Sequence, residues 1–238
     1  MIDKAPDRIA GMFDAIAGRY DLLNHLLSVG LDRRWRARAV RALRLTGAET
    51  VLDVCTGTGD LAIALASGAR GASGAARVVG IDFAGEMLRH GARKLAARAL
   101  EDRVYLLRAD ATRVPLPDGS VDAATVAFGI RNVEHPDRAL AELHRVVRPG
   151  GRIAILEFGM PAAPGLRSLY AWYFRRVLPR LGGLISGHGS AYTYLTVSVG
   201  DFPSGAAFGA LVNDAGFAET SIVRLQLGAV YLYLATRV

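Results

Sequence analysis

Length, composition and charge exclude several classes of protein before any motif is considered. The chain of 238 residues contains one cysteine, which rules out an internal disulfide or a multi-cysteine zinc site, and we expect no bound metal. Lys and Arg number 29 against 22 Asp and Glu, so the net charge of +7 indicates either an anionic partner or only a soluble, arginine-rich surface. No apolar stretch approaches about 20 residues, and charges stand where a signal peptide would be apolar, so we expect a cytoplasmic protein without a membrane span.

Segment 7–46 precedes the first predicted strand and has the apolar spacing of helices. Breaks are predicted at 18–20 and 28–31, and Asp32 is the expected cap of the helix that follows. Tyr20 and Asp21 add polar groups beside an apolar face. This arrangement fits either a lid over a bound ligand or an extension that only packs against the core.

The stretch Val51–Ala62, V-L-D-V-C-T-G-T-G-D-L-A, predicts a buried strand, a glycine turn and the start of a helix. Gly57 and Gly59 let the backbone approach a ligand closely, as in nucleotide-binding α/β folds. The pattern G-x-G-x-x-A also occurs in dinucleotide sites, so an NAD-dependent oxidoreductase is the alternative. Asp53 and Asp60 would oppose a pyrophosphate, whereas the amino and sulfonium groups of S-adenosylmethionine are cationic. We therefore favour S-adenosylmethionine as the cofactor.

Strands and helices alternate after this loop, which predicts a parallel sheet with its ligand at the carboxyl edge. Asp82 lies 23 positions after Gly59 at the end of a strand, where it can accept hydrogen bonds from a ribose. Asp110 and Ala111 follow the next strand, and the Asp110 carboxylate can bind the adenine amino group. The predicted elements are strands at 77–82, 104–109, 121–127 and 153–158, helices at 85–100 and after Pro136, and a tight turn at 148–151.

The C-terminal third departs from this alternation. Segment 161–200 mixes aromatic residues and arginines, which indicates either a helix that binds a membrane interface or ordinary helix packing. A helix at 202–216 and an antiparallel pair of strands at 222–227 and 229–235 are expected to close the sheet. We expect one domain over 1–238, with a helical lid or extension (7–46), a cofactor-binding core (47–160), a helical insertion (161–200) and a closing helix and strands (201–238).

Four segments together resemble the ubiquinone/menaquinone biosynthesis C-methyltransferases. They are R-Y-D-L-L-N-H-L-L-S-V-G-L-D-R-R-W-R at 19–36, the glycine loop, V-A-F-G-I-R-N-V at 126–133 and Y-T-Y-L-T-V-S-V-G-D-F-P at 192–203. The F-G-I-R-N element is distinctive, whereas the glycine loop and the R-P-G-G turn are general to class I methyltransferases. The resemblance implies a Rossmann-like class I fold with a mostly parallel seven-stranded sheet.

The resemblance also implies an activity, namely methyl transfer from S-adenosylmethionine to a ring carbon of a polyprenylated quinol in menaquinone or ubiquinone biosynthesis. Thr58, Asp82, Asp110 and Ala111 match donor-contacting positions of the family, and Ala127 stands where the family usually has a serine. Two other departures are Asp32, where a histidine is common, and the C-terminal tail. A polyprenylated substrate implies contact with the inner face of the membrane, and a homodimer is a further expectation.

The chemistry of ring methylation points to particular residues. An aromatic carbon becomes nucleophilic when a neighbouring hydroxyl loses its proton, so the site must stabilise a phenolate and later remove the ring proton. Arg131 could bind the developing oxyanion or orient a water molecule, with Asn132 beside it; the alternative for Arg131 is a structural ion pair. The further catalytic candidates are Tyr20, Asp21, Tyr192 and Tyr194.

Other functions remain open at this point. A nucleic-acid methyltransferase would explain the positive charge, but the fourth strand has no N-P-P-Y-like end and a single cysteine cannot support a two-cysteine cytosine mechanism, so we expect no nucleic-acid partner. Two alternatives remain beside the oxidoreductase: a methyltransferase for another small aromatic or isoprenoid acceptor, and a non-catalytic subunit of a quinone-making assembly.

Overall fold

Two helices at the N-terminus precede the sheet in the computed structural model, which describes residues 4–68, 74–161 and 197–238 and the isolated positions 165, 168, 172, 176 and 194. Helix α1 (Pro6–Leu27) is continuous, so the predicted break at 18–20 is wrong. A single glycine costs a helix only about 1 kcal/mol, which burial of the neighbouring Ala17 can offset. The break at 28–31 is confirmed, because Val29 and Gly30 adopt positive φ before α2 (Leu31–Leu43).

The cap of α2 also differs from the prediction. Gly30 is the N-cap, with φ 72°, and Asp32 lies inside the first turn. The Asp32 carboxylate therefore does not cap the helix; it accepts hydrogen bonds from Ser28, His25 and Arg36.

Alternating strands and helices make up the core, as predicted. Their bounds are β1 (Thr50–Val54), α3 (Asp60–Ser67), β2 (Arg77–Asp82), α4 (Gly85–Ala96), β3 (Val104–Arg108), β4 (Val121–Ala127), α5 (Pro136–Val146), β5 (Val147–Phe158), α6 (Ala206–Asp214), β6 (Phe217–Leu225) and β7 (Val230–Arg237). Helices α4 and α6 are shorter than the sequence pattern indicated, and β6 begins five residues before the predicted 222. The numbering of α6 counts only helices whose bounds the structure describes.

Within the described residues the seven strands form one sheet in the order β3-β2-β1-β4-β5-β7-β6. All neighbours from β3 to β5 pair in parallel, and β7 runs antiparallel to both β5 and β6. The predicted α/β fold with a mostly parallel seven-stranded sheet and an antiparallel closing pair is therefore confirmed.

Period-two alternation along the strands gives the sheet two apolar faces. Leu52 and Val54 of β1 belong to the cluster that includes side chains of α5 and α6. Val51 belongs to the opposite cluster, which includes Trp35 of α2 and residues of α3 and α4. Helices cover both faces, so the carboxyl edge of the parallel strands is where a ligand can reach the sheet.

The R-P-G-G turn is absorbed into β5 and does not precede it. The register moves from Val121 opposite Val147 to Ala123 opposite Arg152, so extra residues loop out of β5 as a bulge. Gly150 has φ 76° within this bulge. The predicted tight turn is therefore a local irregularity of a longer strand.

The predicted helical insertion at 161–200 lies almost wholly outside the described residues. Of its aromatic side chains, Trp172 and Tyr194 are described, and Trp172 is 55% exposed. None of the helices in the described part of the chain is both long and apolar enough to cross a membrane.

A buried carboxylate joins β1 to β4 at the centre of the sheet. Asp53 is 1% exposed, and its two oxygens accept hydrogen bonds of 2.6 Å from Thr56 Oγ1 and Thr125 Oγ1. Burial raises the pKa of Asp53 to about 6, although the hydrogen bonds from Thr125 and Thr56 oppose this shift.

The raised pKa of Asp53 predicts a pH-dependent stability. The folded state binds this proton more tightly than the unfolded state, so the contribution is complete below about pH 4 and is lost as pH rises through about 6. The free energy of unfolding of the wild type relative to Asp53→Asn should therefore fall by about 2–3 kcal/mol over that range, as measured by urea titrations. Asp137→Asn, at an exposed carboxyl, is the control. A constant difference between the wild type and Asp53→Asn would contradict the prediction.

Candidate functional site

The glycine loop between β1 and α3 is shaped by residues with positive φ. Cys55, Gly57 and Gly59 have φ of 55°, 57° and 78°, and Gly59 is the N-cap of α3. The loop is also hydrogen-bonded to β2, since Thr56 N donates to Ile81 O at 3.0 Å. The predicted strand, turn and helix are confirmed here, and β1 ends one residue before Cys55 because that residue is left-handed.

Two adjoining cavities lie at the carboxyl edge of the sheet. The first, about 370 Å³, is lined by Phe13, Tyr20, Cys55, Gly57, Asp82, Phe83, Met87, Ala127, Phe128, Gly129 and Asn132. The second, about 670 Å³, is lined by Lys4, Pro6, Asp7, Ala10, Phe83, Arg108, Asp110, Ala111, Thr112, Asn132, Val133, Glu134 and His135. Phe83 and Asn132 belong to both, so the two cavities form a groove across the ends of β1 to β4.

Five of the eight predicted cofactor residues line this groove. Gly57, Asp82 and Ala127 are in the first cavity, and Asp110 and Ala111 are in the second. Asp53, Thr58 and Gly59 are not among the lining residues of either cavity. Their cofactor contacts stay predictions, and the structure gives Asp53 and Thr58 hydrogen-bond partners within the protein.

Asp82 is the acid best placed to bind a ligand in the first cavity. Its two carboxylate oxygens accept hydrogen bonds of 2.9 Å from Gly57 N and Ala84 N. Burial raises the pKa of Asp82, and the hydrogen bonds from these amides act in the opposite direction. The Phe83 amide also bonds to this carboxylate. A carboxylate has about four acceptor sites, so at least one is left for a ligand hydroxyl.

The acids that bracket the glycine loop do not act as the charge argument assumed. Asp60 forms ion pairs with Lys94 and with Arg36, the latter at 3.5 Å. The charge of Asp60 is therefore compensated within the protein, as the buried Asp53 is held by its threonines. Asp82, which was predicted from its spacing to bind the ribose, is the acid that lines the first cavity.

Helix α1 covers the groove from one side. Phe13 and Tyr20 line the first cavity, and Pro6, Asp7 and Ala10 line the second. The helix is tied to the glycine loop by Asp21, whose carboxylate accepts hydrogen bonds from Thr58 Oγ1 at 2.5 Å and from Lys94 Nζ at 2.7 Å. Asp21 was predicted to be catalytic, but the structure engages it in this link and it lines neither cavity.

A second polar cluster fixes the turn between α1 and α2. The buried Asp32 accepts hydrogen bonds from Ser28 Oγ at 2.9 Å, His25 Nδ1 at 2.8 Å and Arg36 Nη1 at 2.5 Å. Burial raises the pKa of Asp32, but Arg36 and Ser28 outweigh it and hold the pKa below its usual value. His25, Asp32 and Asp60 have ligand atoms within 4.8 Å of one another, but Arg36 bonds to both carboxylates. Paired acids of this kind carry no argument for a metal.

Two of the predicted catalytic residues line the first cavity, and a third contacts one of them. Tyr20 and Asn132 line it, and Tyr194 donates a hydrogen bond of 3.2 Å to Asn132 Oδ1. Burial raises the pKa values of Tyr20 and Tyr194. Both phenols therefore stay protonated near neutral pH and can donate hydrogen bonds. Tyr192 lies outside the described residues.

Arg131 forms the structural ion pair that was the alternative to a catalytic role. Its Nη1 donates to Glu157 Oε1 at 2.7 Å and to Phe128 O at 2.5 Å. The guanidinium also lies over the Phe158 ring, 5.3 Å from its centroid. Arg131 lines neither cavity, so direct binding of an oxyanion by this residue stays a prediction without support from the geometry.

Sequence reasoning missed several residues of the groove. Two of the apolar ones are adjacent to or within elements that were identified: Phe83 comes directly after Asp82, and Phe128 begins the F-G-I-R-N element. Glu157 was also missed, although a charged residue in the apolar run I-A-I-L-E-F is a signal that could have found it.

Comparison with solved structures gives the class of fold. A methyltransferase from Thermotoga maritima, described as S-adenosylmethionine-dependent and possibly a histamine N-methyltransferase, aligns with a TM-score of 0.67 over 97% of this chain and 100% of its own, at 18% identity. At this identity the likeness concerns the fold alone. The predicted class I methyltransferase fold is confirmed.

Sequence comparison then gives the family. The sequence model of the ubiE/COQ5 methyltransferase family matches residues 1–237. The demethylmenaquinone methyltransferase of Thermus thermophilus is 52% identical over 206 residues, which cover 87% of this chain and 91% of the relative. The ubiquinone/menaquinone biosynthesis C-methyltransferase UbiE of Geobacter sp. (strain M21) is 46% identical over 231 residues, 97% of each chain. The chain belongs to the ubiE/COQ5 methyltransferase family, and the predicted resemblance is confirmed.

The link between α1 and the glycine loop predicts a local change in exchange kinetics. Asp21→Asn removes one charge from the pair with Lys94, and a partly exposed pair of this kind contributes about 0.5–1 kcal/mol. Amide hydrogens of α1 should therefore exchange about two- to fivefold faster, as measured by hydrogen–deuterium exchange. Glu86→Gln, in the exposed pair with Arg89, is the matched control. Unchanged exchange in α1 would show that Asp21 does not hold the helix down.

Proposed function

We propose that this protein transfers the methyl group of S-adenosylmethionine to a ring carbon of a polyprenylated quinol, in menaquinone or ubiquinone biosynthesis. The observation that carries the proposal is the groove at the carboxyl edge. Its first cavity brings Asp82, which suits the methyl donor, together with Tyr20 and Asn132, which suit a quinol hydroxyl. The names of the relatives, demethylmenaquinone methyltransferase and ubiquinone/menaquinone biosynthesis C-methyltransferase, support the same reaction.

The residues of the groove fit the proposed donor. Asp82 has an acceptor site left for a ribose hydroxyl, and Asp110 and Ala111 line the larger cavity where the adenine would lie. Gly57 keeps the loop open, since its φ of 57° disfavours any side chain and an added Cβ would meet only Met87 Cε at 3.9 Å. When bound, S-adenosylmethionine supplies the electrophilic methyl group. Ala127 places a methyl group in the first cavity where the family usually has a hydroxyl.

The remaining residues of the first cavity suit the hydroxyl of a quinol ring. Asn132 Oδ1 is taken by the Tyr194 hydroxyl, which leaves the amide nitrogen of Asn132 to donate. Tyr20 lines the same cavity and is a second donor, because its hydroxyl is protonated at neutral pH and the Asn24 side chain bonds to its oxygen. Donors of this kind stabilise a phenolate as its charge develops, and the charge makes the neighbouring ring carbon nucleophilic. Phe13, Phe83 and Phe128 enclose the ring and exclude water.

A polyprenylated acceptor also bears on where the protein acts. We propose that the protein is cytoplasmic and meets its substrate at the inner face of the membrane. Support comes from the basic, aromatic composition of segment 161–200 and from the exposure of Trp172. Sedimentation with anionic vesicles tests the contact, and absence of binding at low salt would refute it. The homodimer stays a prediction, which analytical ultracentrifugation would test.

Donor binding should depend on Asp82. Asp82→Ala removes a charge-assisted hydrogen bond, which contributes about 1.5–3 kcal/mol, so the affinity for S-adenosylmethionine should fall by about tenfold to a hundredfold. Titration calorimetry measures this change, with a urea titration to check folding and Asp102→Ala as the exposed control. An intact Asp82→Ala variant with wild-type affinity would exclude Asp82 from the donor site.

Turnover should require the reduced acceptor. Only the hydroxylated ring can form a phenolate with a nucleophilic carbon, whereas the oxidised ring is an electrophile facing an electrophilic methyl group. Transfer of labelled methyl groups to short-chain demethylmenaquinol, or to the corresponding benzoquinol, should therefore be lost when dithionite is omitted. The rates with the two quinols decide which ring is the acceptor. Equal turnover of the oxidised acceptor would refute the mechanism, and no turnover of either quinol would refute the proposed function.

A further inference from the structure

A buried carboxylate at the end of β5 holds the chain segment that forms one wall of the first cavity. Glu157 is 1% exposed, and both of its oxygens are engaged with residues at the strand ends. Oε1 accepts hydrogen bonds from Arg131 Nη1 at 2.7 Å and from Phe158 N at 2.8 Å. Oε2 accepts a hydrogen bond of 3.2 Å from Arg131 N. One carboxylate therefore fixes both the backbone and the side chain of Arg131.

The segment 128–132 depends on this pair for its shape. Arg131 Nη1 donates back to Phe128 O, and Phe128 itself adopts φ 58°, which is uncommon for a residue with a side chain. Gly129 lies against Cys55, where an added Cβ would come within 2.3 Å of the cysteine Cβ. Phe128, Gly129 and Asn132 all line the first cavity, whereas Arg131 and Glu157 stand behind them.

The charge of Arg131 reaches the acceptor side of the cavity without a direct contact. Arg131 lowers the pKa of Tyr20 and of Tyr194, in each case against the larger, opposite effect of burial. At Tyr194 the negative charge of Glu157 raises the pKa, but by less than Arg131 lowers it. A negative charge formed on a ring hydroxyl beside these tyrosines would feel the same attraction. The pair is buried, with side chains 6% and 1% exposed, so water screens this effect weakly.

The pair is a poor device for stability alone. A buried ion pair must overcome the desolvation of both charges, and well-packed apolar residues of similar volume often serve equally well. Arg131 Nε is moreover buried with no hydrogen-bond partner among the described residues, which adds to the cost. An arrangement that gains little stability and shapes a cavity wall points to a role in the site.

We propose that Glu157 is a positioning residue for methyl transfer: it holds Arg131 behind the cavity wall and fixes the 128–132 segment so that Asn132 faces the acceptor hydroxyl. This inference rests on the proposed function. Glu157 touches neither donor nor acceptor, and it acts through Arg131. Its effect should therefore fall on the acceptor step and leave donor binding nearly unchanged.

The principal variant is Glu157→Gln, which keeps the shape of the side chain and removes its charge. Its kcat with demethylmenaquinol should fall by about tenfold to a hundredfold, while the Kd for S-adenosylmethionine changes by less than about threefold. The matched control is Glu142→Gln, because Glu142 also binds an arginine, Arg145, and a backbone amide, that of Val114, but lines neither cavity. The control should keep both constants within about twofold of the wild type.

A second variant separates positioning from stability. The double variant Arg131→Met/Glu157→Gln removes both charges and leaves no buried charge unpaired. Its urea midpoint should therefore lie closer to that of the wild type than the midpoint of Glu157→Gln does. Its rate should stay at least about tenfold low. Glu157→Asp keeps the charge and shortens the side chain, so its kcat should also fall. This variant replaces Glu157→Gln in the experiment if Glu157→Gln does not fold.

The outcomes are distinct. A double variant that regains both midpoint and rate would make the pair purely structural and overturn the proposal. Wild-type rates from folded Glu157→Gln, or from Glu157→Asp in its place, would overturn it as well. A wild-type protein that methylates neither quinol would instead refute the proposed function, which the variants do not test.

Discussion

The glycine loop after β1 is the constraint on which the rest of the site depends. Residues with positive φ turn the chain at the carboxyl edge, and bonds to β2 hold it there: Thr56 N to Ile81 O and Gly57 N to Asp82. Since parallel strands end at one edge, this turn and the ends of β2, β3 and β4 come together. The two cavities lie where the glycine loop and these strand ends come together.

Charge around the loop is organised mainly inside the protein. Lys94 binds Asp21 of α1 and Asp60 of α3, and Arg36 of α2 reaches both Asp60 and Asp32. Four helices are joined in this way. Lys94 and Arg36 contribute to the positive charge that suggested an anionic partner, but in the structure they pair with carboxylates of the protein itself.

The F-G-I-R-N element correctly indicated the family, although its arginine, Arg131, does not line either cavity. Arg131 was expected either to act on the substrate or to form a structural ion pair, and its guanidinium contacts Glu157 and Phe128 behind the wall of the cavity. Asn132, the next residue, lines both cavities and pairs with Tyr194. Two adjacent residues in a short helical turn face in different directions, so only one of them can reach a ligand directly.

The sequence by itself determined the strands, the glycine turn and the strand-end acids, because these follow from local apolar periodicity and backbone preference. Asp82, Asp110 and Ala127 could be assigned to one edge for the same reason. Only the tertiary structure decided the partners of Asp21, Asp60 and Arg131, since ion pairs such as Lys94 with Asp21 join residues far apart in the chain. The local sequence pattern indicates which backbone conformation a residue favours. The charge that a side chain meets depends instead on the packing between elements, and this packing decided which candidate residues face the groove.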